Sequence, residues 1–195
     1  MKTAIEKPKP KEKKRKPFAC ASFGPLNDLE RHLPLDWWKR IFNSVYLKTD
    51  GDVIDNEVNT KKEIDLVLEK VAIEPFDHVL DLCCGQGRHC IELAKRGFRR
   101  VTGVDKSRYL IRLAKKTAGA LNLPINFYER DARNIGGLFN DAFDVVLLMG
   151  NSFGYFEKEE DDLAVIAAIQ KVLKPQGMLV LDVVDGNWME KNFEP

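Results

Sequence analysis

The chain has 195 residues, 44% of them hydrophobic, and a formal net charge of +1; that is enough for one domain with its own core. No run approaches the ~18–20 consecutive apolar residues of a membrane span, and no apolar stretch near the start marks a secretory signal, so the sequence reads as a cytoplasmic protein with no membrane partner. Its cysteines, Cys20, Cys83, Cys84 and Cys90, form no C-x-x-C pair, and only His32, His78 and His89 could join them, so neither a zinc site nor a disulfide framework is expected.

Charge is uneven along the chain. Residues 2–16 carry eight basic side chains against two acidic ones, leaving 23 basic and 28 acidic residues for the rest. With Pro8, Pro10 and Pro17 and almost nothing apolar, residues 1–17 read as a disordered basic tail. It is either a solvated segment or a contact for RNA or an acidic partner, because clustered lysines bind phosphates.

Residues 18–75 read as an N-terminal helical cap. Leu29, Leu33, Trp37, Ile41, Phe42 and Val45 give residues 28–48 an apolar stripe, which predicts a helix. Asp50-Gly51-Asp52 predicts a turn, and Ile64, Val67, Leu68 and Val71 predict a second helix over Thr60–Val71.

Residues 76–195 alternate strand and helix. Val79–Gly87, Val-Leu-Asp-Leu-Cys-Cys-Gly-Gln-Gly, reads as a buried strand ending in a glycine loop that turns into a helix. Gly85 and Gly87 let the backbone turn tightly and let a ligand approach, and a helix starting under such a loop offers free N–H groups. Arg100–Val104 is a second strand ending at Asp105, about 20 residues on, where a carboxylate suits two ribose hydroxyls. The third glycine of a dinucleotide fingerprint falls on Cys90, which weakens a nicotinamide reading. Ser107–Leu121 is helical, and Ile125–Glu129 is a third strand followed by Arg130-Asp131-Ala132. Phe143–Met149 is a fourth strand, apolar enough to be central. Glu157–Leu173 is a helix, Lys174–Gly177 a turn and Met178–Val184 a fifth strand. Such alternation with short turns predicts an α/β fold: a doubly wound parallel sheet with right-handed crossovers and helices on both faces.

The stretch from about Phe76 to Val184 resembles the core of class I S-adenosylmethionine-dependent methyltransferases. The resemblance rests on five pieces in order: the Val79–Gly87 motif, the strand ending at Asp105, Arg130-Asp131-Ala132, Phe143-Asp144-Val145-Val146 with its loop, and Leu173-Lys174-Pro175-Gln176-Gly177-Met178-Leu179. Cys83 stands where the family often has glycine. The resemblance implies a Rossmann-like three-layer α/β/α core with strands in the order 3-2-1-4-5 and S-adenosylmethionine as cofactor. It implies that Cys83, Gly85 and Gly87 approach the methionine part and the ribose, with Asp81 on the cofactor's ammonium unless it caps the glycine loop. Asp105 would take the ribose hydroxyls or cap the next helix, with Lys106 beside it. Asp131 and Ala132 would flank the adenine, Asp131 accepting from the exocyclic amine unless it is a plain turn acid. Arg88 or His89 would meet the cofactor carboxylate or stay solvated, and Met149 and Asn151 would complete the set.

Methyl transfer needs an acceptor held in line and kept dry, not a metal or a covalent nucleophile. Asn151 and Tyr155 are the catalytic candidates: the resemblance implies that Asn151 would orient the acceptor, that Phe153, Tyr155 and Phe156 would wall the pocket and that Trp38, Tyr46 and Lys48 would form a lid; packing alone would also account for the aromatics. No general base stands out; His89, Asp185 and Tyr155 are the candidates. The loop is not the Asp/Asn-Pro-Pro-aromatic type, which tilts the acceptor towards a small molecule. The family's sixth and seventh strands have no counterpart before Pro195, so the fifth strand is expected as an exposed edge: either the chain is a fragment, or a partner chain covers that edge, or it is a shortened homologue. A scaffold that binds the cofactor without turnover and a nicotinamide-dependent oxidoreductase are the alternatives.

Overall fold

The computed structural model describes residues 37–54 and 56–192. The basic tail and the start of the cap, through residue 36, lie outside these. Five parallel strands form one sheet: β1 (His78–Leu82), β2 (Arg100–Asp105), β3 (Asn126–Glu129), β4 (Phe143–Leu148) and β5 (Leu173–Leu181), in the order β3-β2-β1-β4-β5. The helices are α1 (Trp38–Ile41), α2 (Tyr46–Thr49), α3 (Gly51–Ile54), α4 (Glu57–Lys70), α5 (Arg88–Lys95), α6 (Arg108–Ala120), α7 (Glu159–Val172) and α8 (Gly186–Asn192), with a 3-10 helix over Ala132–Gly137. This is the doubly wound α/β/α architecture that the alternation implies.

Because side chains alternate across a strand, each central strand feeds both layers. Val79, Val101, Val145 and Leu147 pack with Ile64, Leu93, Ile111 and Phe127 on the face covered by α4, α5 and α6. Leu80, Leu82, Val104, Val146 and Leu148 pack with Ile135, Val165, Ile169 and Val172 on the face covered by α7 and the 3-10 helix. β4 lies between β1 and β5, and five of its six residues are buried, as its unbroken apolar run requires.

Helix starts follow local chemistry. Asn56 caps α4 by accepting from the Val58 and Asn59 amides at 3.0 and 3.2 Å, and Ser107 caps α6 through Leu110. α7 has no side-chain cap bond but opens with Glu159, Glu160, Asp161 and Asp162, whose charge favours the positive end of the helix dipole.

Three expectations need correction. The predicted helix over residues 28–48, where described, is two separate helical turns, α1 and α2. The Asn43 carboxamide oxygen accepts from the Val45 amide at 2.7 Å, and this local bond competes with helix continuation. Asp50-Gly51-Asp52 is not a separate turn; Gly51–Ile54 is a helical turn, with Ile54 buried and its carbonyl accepting from the Gln86 side-chain Nε2 at 3.3 Å. The predicted turn at Lys174–Gly177 lies inside β5 as a bulge. Phe143 pairs with Leu173, but Val145 pairs with Met178. Lys174 pins it by donating to both Asp144 oxygens at 2.8 Å. Past β4, the outer edge of β5 carries no strand among the described residues, and Val183, Val184 and Trp188 beyond it are exposed.

Candidate functional site

The site is built at the carboxyl ends of β1, β2 and β4. After Leu82 the chain reverses through three residues in the left-handed region, Cys83, Gly85 and Gly87. Gly87 is required twice over. Its φ is +79°, and a Cβ there would lie 2.8 Å from a ring carbon of Phe127, so any side chain would be both strained and blocked. The Cys84 amide donates to the Val104 carbonyl at 3.0 Å, which fixes the loop against the neighbouring strand.

Asp105, at the end of β2, is the acid that orders this loop. One carboxylate oxygen accepts from the Gly85 amide at 2.9 Å and the other from the Ser107 amide at 2.7 Å. Burial pushes its carboxyl up, while those two amides pull it back. The loop-capping role considered for Asp81 therefore falls to Asp105. Asp81 is buried inside the sheet, and its carboxylate accepts from the Cys90 thiol at 3.2 Å and from the Cys90 amide. It satisfies one of the orphan N–H groups in the first turn of α5.

Asp131 heads the 3-10 helix. Its Oδ1 accepts from the Arg133 amide and Nε at 3.1 and 2.9 Å, and its Oδ2 from Lys106 Nζ and Arg133 Nη2, both at 2.8 Å. Burial would raise the Asp131 carboxyl, but these two cations outweigh it and hold it well below the usual carboxylate range. Arg133 Nη1 also reaches Asp161 at 2.7 Å.

Over these groups lies a cavity of about 390 Å³, within the ~300–1,000 Å³ of small-molecule and cofactor sites. Its floor is Cys83, Gly85, Asp105 and Lys106; one side is Asp131, Ala132, Asp162 and Val165; the loop after β4 supplies Phe153, Tyr155 and Phe156. Trp38, Phe42 and Tyr46 close it from the N-terminal helices. This lid is tied down: Ser107 Oγ donates to the Phe42 carbonyl at 2.7 Å, and the Tyr155 ring lies 5.6 Å from Trp37 and 5.7 Å from Phe42. Lys106 Nζ sits 4.1 Å from the Trp38 ring centroid, a cation–π distance. Burial, then the charge of Asp50, pushes the Tyr46 phenol up to about 12, and burial also raises Tyr155. Both phenols are neutral at physiological pH.

The cavity thus gathers Cys83, Gly85, Asp105, Lys106, Asp131, Ala132 and Tyr155 from the residues singled out in the sequence, with Trp38 and Tyr46 of the lid. Asp81, Gly87, Arg88, Met149, Asn151 and Lys48 do not line it. Met149 is buried in the core. Asn151 is exposed, and its side-chain oxygen accepts from the Val184 amide at 3.2 Å. Arg88 and His89 face α4, where Glu63 takes both. Asp185 caps α8 through the Asn187 and Trp188 amides. Burial raises all three described thiols, Cys84 to about 11. Among the described residues no group of three or more His, Cys, Asp or Glu side chains is placed to hold a metal. Ser107 and Asp162 line the cavity and were missed. Ser107, followed by an apolar stripe, carried a cap signal, but nothing in the sequence aims Asp162 at a cavity.

A family model described as a methyltransferase domain matches residues 79–177. YqeM of Bacillus subtilis (strain 168), provisionally named a methyltransferase, is 37% identical over 105 residues, 54% of this chain and 41% of that one. The glycine/sarcosine N-methyltransferase of Aphanothece halophytica is 29% identical over 147 residues, 75% of this chain and 55% of its own. An S-adenosylmethionine-dependent methyltransferase from Clostridium acetobutylicum ATCC 824 superposes with a TM-score of 0.59 at 24% identity, covering 71% of this chain and 55% of that one, a likeness of fold. The chain spans about half the length of the curated relatives it matches.

Proposed function

The chain belongs to the class I S-adenosylmethionine-dependent methyltransferase family, and on that premise we propose that its cavity binds S-adenosylmethionine and delivers the methyl group to a small-molecule acceptor. The observation that carries the reading is Asp105: a carboxylate at the cavity floor, tied by one oxygen to the Gly85 amide. The residues fit the cofactor. A cavity of about 390 Å³ suits a nucleoside with an amino-acid tail, and Asp105 keeps acceptor capacity for ribose hydroxyls. Asp131 and Ala132, both on the cavity lining, would flank the adenine.

When bound, S-adenosylmethionine supplies a methyl group on a sulfonium centre, open to in-line attack. The chain's own work is to bind, orient and exclude water. The left-handed loop at Cys83 and Gly85 lets backbone come close to the ligand. Asp105, anchored at Gly85 and Ser107, holds the ribose end at a fixed distance from that loop. Phe42, Tyr46, Phe153 and Tyr155 would wall the acceptor side, while Trp38 and Phe156 pack against Lys106 and Arg133, the partners of Asp131. Tyr155, half-buried against Trp37 and Phe42, serves as wall rather than base. Asn151 and Met149, like Asp81, Gly87 and Arg88, do not line the cavity. Cys90, the residue at the third-glycine position, is buried with its thiol on Asp81, and the family assignment sets the nicotinamide alternative aside.

That relatives of this chain are named glycine/sarcosine N-methyltransferases favours a small amine as the first acceptor to try. The test is release of S-adenosylhomocysteine from S-adenosylmethionine by the purified chain, alone and with glycine, sarcosine and a panel of small amines and phenols. Acceptor-dependent release supports methyl transfer. Tight cofactor binding with no release for any acceptor supports instead the scaffold alternative.

A further inference from the structure

The rings that line the cavity fall into two groups. Trp38 and Phe156 already hold the protein's own cations: Lys106 Nζ lies 4.1 Å from the Trp38 centroid, and the Arg133 guanidinium carbon lies 5.7 Å from that of Trp38 and 4.6 Å from that of Phe156. Phe42, Tyr46 and Tyr155 make the other group. All three are half-buried on the cavity lining, and their ring contacts are with one another and with Trp37. Phe42 meets Tyr46 at 5.2 Å and 72° and Tyr155 at 5.7 Å and 89°, so the group is a corner of steeply crossed rings rather than a flat stack.

The electrostatics of this corner favour a positive guest. An aromatic ring is negative on its face and attracts a cation held over it. A carboxylate stands near the same rings: after burial, the charge of Asp50 adds to the raising of the Tyr46 phenol, and it acts on the Tyr155 phenol too. Asp50 is half-buried and accepts from the Thr49 hydroxyl at 2.6 Å, and no Lys or Arg pairs with it among the described residues. Arg88 also bears on the Tyr46 phenol, but its charge is met by Glu63.

Resting on the methyl-transfer reading, we propose that the corner of Phe42, Tyr46 and Tyr155 is the acceptor subsite and that it takes an alkylated amine, whose nitrogen becomes positive against these rings. In such a transfer the amine lone pair forms the new N–C bond while the C–S bond breaks, its electron pair going to sulfur. The sulfonium becomes a neutral thioether and the nitrogen an ammonium, so the charge passes to whatever holds the acceptor. The rings and the Asp50 carboxylate stabilise it there. A phenol or alcohol acceptor, which loses a proton and ends neutral, gains nothing from them, and the corner thereby selects amines over hydroxyl acceptors.

The experiment is calorimetric titration of the full chain, unloaded and saturated with S-adenosylhomocysteine, with choline and with its neutral isostere 3,3-dimethylbutan-1-ol. It is run on the wild type, Phe42→Leu, Tyr155→Leu and Asp50→Asn, with thermal unfolding as a check on folding. The wild type should bind choline about threefold to thirtyfold more tightly than the neutral alcohol, the value of a cation over an aromatic ring. Phe42→Leu, which keeps an apolar side chain and removes the ring, should lose most of that preference by weakening choline alone. Tyr155→Leu decides if the Phe42 variant does not fold, and Asp50→Asn should narrow the preference. Equal affinity for the two probes, binding of neither, or an unchanged preference in both leucine variants would overturn the proposal. Titration with S-adenosylmethionine separates the other source of positive charge: if Phe42→Leu weakens it without weakening S-adenosylhomocysteine or choline, the corner serves the cofactor's sulfonium and the acceptor assignment fails. Failure of the wild type to bind S-adenosylhomocysteine at all would overturn the cofactor reading itself, while the choline preference is still read on the unloaded protein.

Discussion

His89 and Glu63 meet between α4 and α5: the ring Nε2 lies 2.8 Å from Glu63 Oε2, the same oxygen that receives the Arg88 guanidinium. Arg88 also donates to Thr60 Oγ1 at 3.1 Å. Two residues that look from the sequence like ligands for a cofactor carboxylate therefore hold the first turn of α5, and with it the glycine loop, against the helix behind.

This cluster gives the fold an acid-sensitive joint. Burial would raise the Glu63 carboxyl from its ordinary 4.5, but the hydrogen bonds from His89 and Arg88 outweigh it and hold the group at about 2. A carboxyl lowered on folding stabilises the protein fully above its unfolded value, and that contribution fades as pH falls through the folded one. Urea unfolding should therefore show Glu63→Gln less stable than the wild type at pH 7, with the gap closing between about pH 4.5 and 2. A gap of constant size from pH 7 to 3 would show that the joint contributes nothing through its charge.

Gly103 in β2 should tolerate no side chain while Phe127 stays in place. A Cβ there would lie 2.6 Å from one ring carbon of Phe127 and 2.9 Å from Cys84 Sγ. Overpacking of this kind costs about 1–3 kcal/mol, so Gly103→Ala should lower Tm by roughly 3–10 °C. Adding Phe127→Leu should recover part of the loss, a non-additivity that a double-mutant cycle reads directly. Strict additivity would mean that Phe127 is not the obstacle.

Tyr155 should matter as a ring and not as a hydroxyl. Its phenol is raised by burial and its ring packs on Trp37 and Phe42. Tyr155→Phe should keep S-adenosylhomocysteine affinity within about threefold, whereas Tyr155→Ala, which opens the wall and frees the lid, should weaken it by about tenfold or more. Comparable loss in the phenylalanine variant would give the hydroxyl a direct role.

The fold was legible because its signals are local and redundant. The apolar run of β4, the apolar Val79, Leu80 and Leu82 of β1 and the glycine loop each state one element, and the element order then leaves few topologies. The site was legible only where a residue's neighbours in sequence are its neighbours in space. Asp105 sits at a strand end and reads at once. Glu63 reads as one more charge on a solvated helix face, because its partners lie 25 and 26 residues away. Asp162 disappears into a run of four acids that the helix dipole explains by itself. The break between α1 and α2 hides because the apolar stripe continues through Phe42, while the bond that breaks it belongs to Asn43. Asn151 misleads for the opposite reason: it stands in the right loop, but its side chain bonds Val184 beyond β5.

The central claim is that the cavity over Asp105 holds S-adenosylmethionine. Calorimetric titration of the wild type and of Asp105→Ala with S-adenosylmethionine, S-adenosylhomocysteine and NAD tests it directly, with thermal unfolding to show that the variant is folded. The account predicts micromolar binding of the first two ligands, none of NAD, and a loss of at least about tenfold in the variant, which gives up both the ribose acceptor and the anchor of Gly85. Binding of NAD but not of S-adenosylmethionine, or unchanged S-adenosylmethionine affinity in Asp105→Ala, would contradict it.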